Sequence, residues 1–491
     1  MTPTHFMQNA TKPSSVYEEP ARRVPVVGEY DIIVCGGGTS GCPAAINAAR
    51  QGARVALIEK FSYIGGVPIH ALNPAWHGTN QVYQGLLEEM IRKAYAFSGW
   101  DMDPFEDRAV VVDPDAQRAV LSKMLQDAGV DVFLHSWIAG AVDTGDGHHL
   151  VLTESKSGRQ AYRARIVIDA TGDADVAAFL GAETRMGDPD DDFATQGMTV
   201  RFLAGNIDME RWFDFLLAHP ELRPQTGEEK IEFVRRRHRR GLPFHLHCDL
   251  SRLYEQFGPD EGDLPVKAYF NGCSTGTGTF NVNGTMVHNV LGTDVRDLTK
   301  AELLCRRQIN HMMAFVRKNV GGWENAILCT MAPHVGVRET RCIVGEILLT
   351  EADARAGRKF EDTVCLDHVY FDHHSRKAYT GEAVGQMLGI PLRALLPKGV
   401  ERLLVVGRCI SAEHMVQSST RIMHVCFDEG AAAGVLAAHC VKAGLTPRQL
   451  PLDQVSPILH SAGINPLKCH EVYQHKSVYI HRPDLAEKAS D

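Results

Sequence analysis

The hydrophobic and polar positions first form a clear pattern between residues 31 and 60, "DIIVCGGGTSGCPAAINAARQGARVALIEK". Residues 32–35 are an uninterrupted apolar run, which is typical of a buried parallel strand. The alanine-rich segment after the glycines predicts a helix, and Gly52 is placed to end it. A second apolar run at residues 55–58 predicts a second strand. The pattern therefore predicts a strand, a tight turn, a helix and a strand in succession.

Patterns of the same kind return twice later in the chain. Residues 163–176, "RARIVIDATGDADV", predict a strand that ends in Ala-Thr-Gly. Residues 400–439 predict a strand, a loop and a helix rich in small residues. The stretch from about 196 to 330 instead mixes alternating runs with amphipathic helical segments, which indicates a separate region of sheet and helix.

Composition narrows the class of protein. The chain has 491 residues, of which 44% are hydrophobic and 23% charged, so it has enough apolar residues for a large core. Its net charge of -9 does not favour binding to nucleic acid or to an anionic membrane, and we interpret the basic run at residues 235–240 as a solvated helix face. The chain has no apolar stretch of membrane-spanning length and no secretory signal pattern. Twelve scattered cysteines without a C-x-x-C pair indicate a cytoplasmic protein and disfavour an iron–sulfur cluster.

The glycines after the first predicted strand have the spacing of a dinucleotide-binding turn. Gly36 makes the turn, Gly38 lets the backbone approach a pyrophosphate, and Gly41 allows the helix to pack closely on the strand. The N-terminus of the helix offers N–H groups and a positive dipole end to the phosphates. Glu59, 18 residues after Gly41, can accept hydrogen bonds from a ribose diol and would repel a 2′-phosphate. The segment therefore predicts a dinucleotide without a 2′-phosphate.

Three further segments favour FAD over NAD. Residues 63–68, "YIGGVP", place two glycines where backbone can pass a bulky flat ligand, and the strands near residues 163–176 and 400–439 return to the same domain. A second G-x-G-x-x-G after a strand is missing from the sequence, so a separate NAD(P)H domain is not predicted. We predict an α/β fold: a Rossmann-like FAD-binding domain built from discontinuous segments, with a mixed α+β cap or substrate domain. The predicted boundaries are an N-terminal arm at 1–24, FAD-binding segments at 25–195 and 331–455, the cap at 196–330, and a C-terminal tail at 456–491.

The chain resembles the FAD-dependent oxidoreductase family that is related to the flavin subunit of fumarate reductase and to the heterodisulfide reductase A subunit. The resemblance covers about residues 19–444 and rests on "VIDATGDADV", "APHVGVRETRCIVGE", "LLPKGVERLLVVGRCISA" and "GAAAGVLAA". It implies that FAD lies extended across the discontinuous domain. The residues it assigns to FAD are Gly36, Gly38, Thr39, Ser40, Gly41, Glu59, Lys60, Gly66, Val67, Ile138, Ala170, Thr171, Gly172, Asp173, Gly407, Arg408 and Val425.

One departure from the family and two matches to it point to candidate catalytic residues. His424 stands where the family usually has proline, before a helix expected to point at the flavin. As a cation it would stabilise the reduced flavin, and as a neutral imidazole it would bind substrate or act as a base. Arg338, in "GVRET", is a candidate clamp for a substrate carboxylate, with a structural ion pair as the alternative. His374, in "YFDHH", is a candidate proton acceptor.

Two further histidines and one short motif are weaker candidates. His70 and His77 follow the glycine pair that meets the flavin, so either one is a candidate for substrate contact or covalent flavin attachment. "HLHC", residues 245–248, has metal-ligand residue types but no spaced partner pair, and no metal site is predicted.

These features predict an FAD-dependent dehydrogenase or oxidase. It would oxidise a polar small organic substrate by hydride transfer to flavin N5 and be reoxidised by O2 or another acceptor. The alternatives are a flavin monooxygenase and a non-catalytic or electron-relay flavoprotein subunit. A small molecule is the predicted partner, with neither nucleic acid nor membrane, and a homo-oligomer is left open. The sequence does not identify the substrate.

Overall fold

The computed structural model describes residues 15–77, 84–106, 109–223, 226–250, 253–254, 269–377 and 379–467. Residues 1–14 of the predicted arm and residues 468–491 of the predicted tail lie outside these ranges, as do parts of the predicted cap. In the part of the chain that is described, no helix is both long and apolar enough to cross a membrane.

The first sheet has a parallel half and an antiparallel half. Its strands are β1 (Val26–Cys35), β2 (Val55–Ile58), β5 (Asp131–Phe133), β6 (Trp137–Asp143), β7 (His149–Ser155), β8 (Gly158–Asp169) and β20 (Leu403–Val405), in the order β5-β2-β1-β8-β7-β6 with β20 also paired to β8. The pairs β1–β2, β1–β8, β2–β5 and β8–β20 are parallel, whereas β6, β7 and β8 form an antiparallel meander. Strand β2 is apolar and buried at every position, which is typical of a parallel strand covered on both faces. The predicted α/β fold with a discontinuous Rossmann-like sheet is therefore confirmed.

Two helices pack against each other next to the carboxyl edge of this sheet. They are α1 (Gly41–Arg50), which follows the glycine turn, and α11 (Met423–Ala443), a helix of small residues near the C-terminus. They pack so closely that a Cβ on Gly430 would overlap the carbonyl of Ser40, and one on Gly434 the carbonyl of Ala44. The small residues of "GAAAG" thus bring the start of α11 to the glycine turn.

The second sheet is antiparallel and has its own hydrophobic cluster. Its order is β11-β12-β13-β10-β14, from β10 (Phe202–Gly205), β11 (Phe244–Asp249), β12 (Tyr269–Ser274), β13 (Phe280–Asn283) and β14 (Ile327–Met331). Its cluster of buried residues runs from Met198 to Val335 and includes the ring pair Trp212–Phe280, with centroids 4.8 Å apart. This agrees with mixed sheet and helix between residues 196 and 330; the boundaries themselves stay an interpretation.

The remaining elements are short strands and helices around these two sheets. The strands are β3 (Ala75–His77), β4 (Ala109–Val111), β9 (Thr184–Arg185), β15 (Cys342–Ile343), β16 (Thr363–Asp367), β17 (Tyr370–His374), β18 (Tyr379–Ala383) and β19 (Leu388–Pro391). The helices are α2 (Val67–His70), α3 (Gly85–Phe97), α4 (Pro114–Asp127), α5 (Asp175–Phe179), α6 (Met209–Ala218), α7 (Glu228–Arg239), α8 (Val295–Asn319), α9 (Glu351–Ala356), α10 (His414–Thr420) and α12 (Leu452–Ser461). The predicted domain end at 455 falls inside α12.

The basic run on α7 is the solvated face that the sequence predicts at Arg236, Arg239 and Arg240, which are exposed, and departs from it at Arg237. Arg237 is buried, donates to the carbonyl of Pro243 and pairs with Glu106 at 3.1 Å. Arg239 forms a two-pronged pair with Glu210, with both distances 2.8 Å. Acidic partners from other segments, which a local pattern does not show, account for the difference.

Candidate functional site

The glycine turn between β1 and α1 contains two glycines that pack against backbone and one that does not. Gly36 has φ of +105°, and a Cβ there would overlap the carbonyl of Ala170; a Cβ on Gly41 would overlap the carbonyl of Gly36. A Cβ on Gly38 would meet only the Cα of Gly66, at 3.9 Å. The backbone at Gly38 is therefore the one that a pyrophosphate can approach.

The residues next to this turn leave donors for an anion. Ser40 is the N-cap of α1, and its side chain makes no capping hydrogen bond to the first turn. The N–H of Cys42 donates to the carbonyl of Gly38 and Pro43 has no N–H, so the donors for phosphate oxygens come from Gly41 and the glycine turn before it. Gly66 has φ of +72°, and a Cβ there would lie 2.6 Å from the amide nitrogen of Thr39. Gly66, the N-cap of α2, is thus held against the turn; contact of Gly66 and Val67 with FAD stays a prediction.

Glu59 lies at the end of β2 with its carboxylate fixed by backbone. One oxygen accepts from the N–H of Gly37 at 2.7 Å and the other from the N–H of Phe61 at 2.8 Å. Burial raises the pKa of Glu59. Lys60 reaches over the rings of Phe61 and Trp137, the residue before Ile138 in β6. These residues surround the position predicted for the adenosine half of FAD, and their individual roles stay predictions.

Arg408 ties together three segments at the carboxyl edge of the sheet. Its guanidinium donates to the carbonyls of Gly172 at 2.7 Å and Val337 at 2.6 Å, and it pairs with Asp173 at 2.8 Å. The charge of Asp173 raises the pKa of Arg408, although burial opposes this. The structure thus shows Arg408 orienting the loop of Ala170, Thr171, Gly172 and Asp173; contact with the cofactor stays a prediction.

The sequence analysis missed Glu429, a buried acid beside the predicted cofactor path. It is fully buried on α11, and one of its carboxylate oxygens accepts from the N–H of Gly407 at 2.7 Å. Burial raises the pKa of Glu429 well above its ordinary value. Gly407, with φ of +86°, is thereby fixed in the turn after β20, and Glu429 itself lies one helical turn after Val425 on α11.

Two arginines lie beyond this path without an acidic partner in the ranges that the structure describes. Arg201 is 6% exposed and donates from Nε to Oδ1 of Asn281 at 2.9 Å. Arg338 donates to the carbonyl of Gly197 at 2.6 Å and contacts the sulfur of Met286 at 3.8 Å. Burial lowers the pKa of each guanidinium to about 10. The sequence singled out Arg338 and missed Arg201, which lies in an ordinary alternating run.

His374 and Asp372 lie beside these arginines. His374 Nε2 is 2.9 Å from Oδ1 of Asp372, and Arg421 pairs with the other oxygen at 3.0 Å. Burial and the charge of Arg338 lower the pKa of His374 to about 3. The imidazole of His77 is exposed, and Arg201 and Asp372 are near enough for their charges to shift its pKa. We name His77, Arg201, Arg338, Asp372 and His374 the arginine–histidine cluster.

His424 lies in a different contact from the one predicted for it. It is fully buried in the first turn of α11, and its Nε2 is 3.0 Å from Nδ1 of His368. Burial and the neighbouring His368 lower its pKa well below the ordinary value, which does not favour the predicted cation. His70 packs between the rings of Phe61 and Tyr63, and burial lowers its pKa to about 3. Neither observation decides a catalytic role for these histidines.

A second network of buried hydrogen bonds lies next to the cluster. Glu339 accepts from the N–H of Gln196 at 3.0 Å and is 2.7 Å from Nδ1 of His414. His414 Nε2 is in turn 2.7 Å from Nε2 of His373. The sequence analysis singled out none of these residues, because no local pattern marks them.

Comparison with known proteins agrees with this geometry. Residues 31–459 match the family model described as FAD dependent oxidoreductase. A segment of 153 residues, 30% of this chain, is 28% identical to the soluble pyridine nucleotide transhydrogenase of Chromohalobacter salexigens, and it spans 31% of that protein, so the chain matches about a third of its relative's length.

Similarity to solved structures is more distant. A geranylgeranyl bacteriochlorophyll reductase-like protein from Thermoplasma acidophilum has a TM-score of 0.41 at 14% identity, over 89% of this chain and 82% of that one. The p-nitrophenol 4-monooxygenase of Pseudomonas putida DLL-E4 has a TM-score of 0.40 at 13% identity, over 90% and 84%. The match over most of the chain and the glycine turn that fits a pyrophosphate show that the protein belongs to the FAD dependent oxidoreductase family and is an enzyme whose cofactor is FAD.

Proposed function

We propose that this enzyme oxidises a small organic anion by direct hydride transfer to FAD, and that the arginine–histidine cluster binds the anion. The observation that carries the proposal is the pair Arg201 and Arg338. Arg201 is buried and Arg338 is half-buried, and neither forms an ion pair in the described part of the chain; the charge of Asp372, which Arg421 also pairs, acts on Arg338 only at longer range. Positive charge held this way is costly, because burial disfavours an unpaired charge. A substrate carboxylate would supply the missing negative charge and accept their N–H groups.

His374 is the residue we propose as the proton acceptor. The pKa of Asp372 lies well below its ordinary value because the neighbouring His374 and arginines outweigh its burial, so Asp372 is ionised. An ionised Asp372 accepts from Nε2–H of His374, which leaves the lone pair on Nδ1. Nδ1 is therefore the atom that takes the proton from a substrate hydroxyl or amine while the C–H bond breaks.

Binding of the anion itself would prepare this base. After burial, the charge of Arg338 is the largest influence that holds the pKa of His374 near 3. A carboxylate bound to Arg338 offsets that charge, so the affinity of His374 for a proton rises only when substrate is in place. The bound FAD supplies the two-electron acceptor at its N5 atom. Because the sequence lacks a second dinucleotide motif, we propose O2 or another acceptor for reoxidation.

The test is flavin bleaching without oxygen. The purified FAD-loaded protein is mixed anaerobically with a panel of small hydroxy- and amino-carboxylates and with the matching neutral esters, and flavin absorbance is followed. We expect at least one carboxylate to bleach the flavin with saturation while its ester does not. Hydrogen bonds to charged groups contribute about 1.5–3 kcal/mol, so Arg338→Gln should raise the half-saturating concentration roughly 10- to 150-fold.

Matched variants make the test specific. Arg201→Gln should behave like Arg338→Gln, whereas Arg358→Gln, which removes an exposed arginine paired with Asp353, should match the wild type. Bleaching by esters as readily as by acids would overturn the anion-binding role. Flavin reduction only by NADH or NADPH would favour a monooxygenase or an electron-relay protein over the proposed function.

A further inference from the structure

Three metal-ligating side chains converge beside the arginine–histidine cluster. Asp367 is the last residue of β16 and His368 follows it, while His424 lies 56 residues later in the first turn of α11. One ligand-type atom from each residue lies within 4.8 Å of the other two. The sequence analysis predicted no metal site, because the third member comes from a distant segment.

The nitrogen atoms are spaced nearly as two ligands of one ion would be. His368 Nδ1 and His424 Nε2 are 3.0 Å apart. Two nitrogens that each lie about 2.1 Å from one tetrahedral zinc ion are about 3.4 Å from each other, which is about 0.4 Å more than the separation of these two. The two rings therefore need little rearrangement to exchange their hydrogen bond for bonds to an ion.

Asp367 is the second, independent observation. Its side chain is fully buried; one oxygen accepts from Ser419 Oγ at 2.7 Å, and Oδ1 has no hydrogen-bond partner among the described residues. A buried carboxylate oxygen without a partner is costly. A bound cation would provide both the missing contact and the missing charge.

Neighbouring groups hold the three ligands in place. Ser419 accepts from the N–H of Tyr370 at 2.9 Å while it donates to Asp367, so the carboxylate has a fixed orientation. The backbone of His77 hydrogen-bonds the imidazole of His424. Outer contacts of this kind orient the ligands of known metal sites.

We propose that Asp367, His368 and His424 bind one divalent transition-metal ion, such as Zn²⁺. Two imidazoles and one carboxylate suit zinc and its neighbours in the first transition row, whereas Mg²⁺ and Ca²⁺ prefer oxygen ligands. Three protein ligands leave further coordination positions for water or for an organic anion. In this site His424 is a metal ligand and not a base, which separates its role from that of His374.

The test measures metal content and affinity on the tag-free, FAD-loaded full chain. The protein is treated with a chelator, dialysed against Zn²⁺ and analysed by mass spectrometry for zinc and by absorbance for FAD, and Zn²⁺ binding is followed by calorimetry. We expect one zinc per chain in the wild type and none in His368→Gln or Asp367→Asn, with FAD retained in both. Ser419→Ala, which removes only an outer contact, should weaken Zn²⁺ binding by about 10- to 100-fold.

The control is His245→Gln, since His245 forms a hydrogen bond with Asn271 and is not one of the three proposed ligands. It should keep both zinc and FAD. A wild-type protein that takes up no Zn²⁺ would overturn the proposal. Stoichiometric zinc that survives both His368→Gln and Asp367→Asn would overturn it as well, because the ion would then lie elsewhere. Since zinc is counted without any substrate, this outcome is independent of the proposed reaction.

Discussion

The glycine turn predicted to bind FAD and the cluster proposed to bind substrate consist of different kinds of groups. The turn between β1 and α1 is made of backbone and small residues, and Gly38 borders space that the protein leaves open. The arginine–histidine cluster is made of ionisable side chains, and burial shifts the pKa values of Arg201, Arg338 and His374. The turn is suited to a cofactor that stays bound, whereas the cluster is suited to a substrate anion that binds and dissociates in each turnover.

Because of this difference, we expect substitutions in the turn to affect FAD binding and substitutions in the cluster to affect the reaction, each without the other. A change in the turn should remove the cofactor and leave the fold, because the open space is on the ligand's side. A change in the cluster should remove chemistry and leave the cofactor. A variant that loses both would break the comparison.

The largest expected effect is on the cluster. His374→Gln should slow anaerobic flavin reduction by the active carboxylate by about 10²–10⁴-fold, the usual cost of losing a positioned proton-transfer group. FAD content and melting temperature should stay at wild-type values. His460→Gln, which changes an exposed histidine on α12, is the control. An unchanged reduction rate in His374→Gln would remove His374 from the mechanism.

The next largest effect is on the turn. Gly38→Val should weaken FAD binding by roughly 5- to 150-fold, because placing extra methyl groups against a packed surface costs about 1–3 kcal/mol. Fluorescence titration of the flavin-free protein with FAD measures this. Gly227→Val, at a position where a Cβ meets nothing within 4 Å, should bind FAD normally. Wild-type affinity in Gly38→Val would show that the pyrophosphate does not pass Gly38.

The smallest expected effect is on the pH dependence of stability. Burial lowers the pKa of His414, but the hydrogen bond and charge of Glu339 outweigh it, so the pKa is raised. The protonated imidazole therefore stabilises the fold below the unfolded value of about 6.5, and this contribution is lost as pH rises through the folded pKa. The charged or titratable groups that face it are Glu339, His373, Asp188 and Arg421.

The variant that tests this is His414→Gln. Its melting temperature should fall less steeply than that of the wild type as pH rises above 6.5, by no more than a few degrees. Glu339→Gln should flatten the profile in the same way. A wild-type slope in both variants would contradict the assignment of the pair.

The sequence predicted most of the turn because its residues are contiguous. The apolar runs, the glycine spacing and Glu59 follow one another within residues 31–60, so local pattern is enough. The discontinuous sheet also followed from the later strands at residues 163–176 and 400–439. Buried Arg237 is an exception, since its partner Glu106 is 131 residues away.

The cluster and the proposed metal site were less predictable because long-range contacts assemble them. Arg201 lies in an alternating run like many others, and only its burial beside Asn281 distinguishes it. Asp367 and His368 look like the end of an ordinary strand until His424 approaches from α11. Single-sequence patterns show neighbours along the chain, and these sites depend on neighbours in space.

The measurement that tests the central claim most directly is anaerobic stopped-flow reduction of the bound FAD. NADH, NADPH and the most active carboxylate of the panel are compared on the same preparation. The account predicts rapid saturating reduction by the carboxylate and slow reduction by both nicotinamides, because the chain binds the organic anion itself and has no second dinucleotide turn. Reduction by NADH or NADPH at about 10 per second, an ordinary turnover rate, with no carboxylate active, would contradict it.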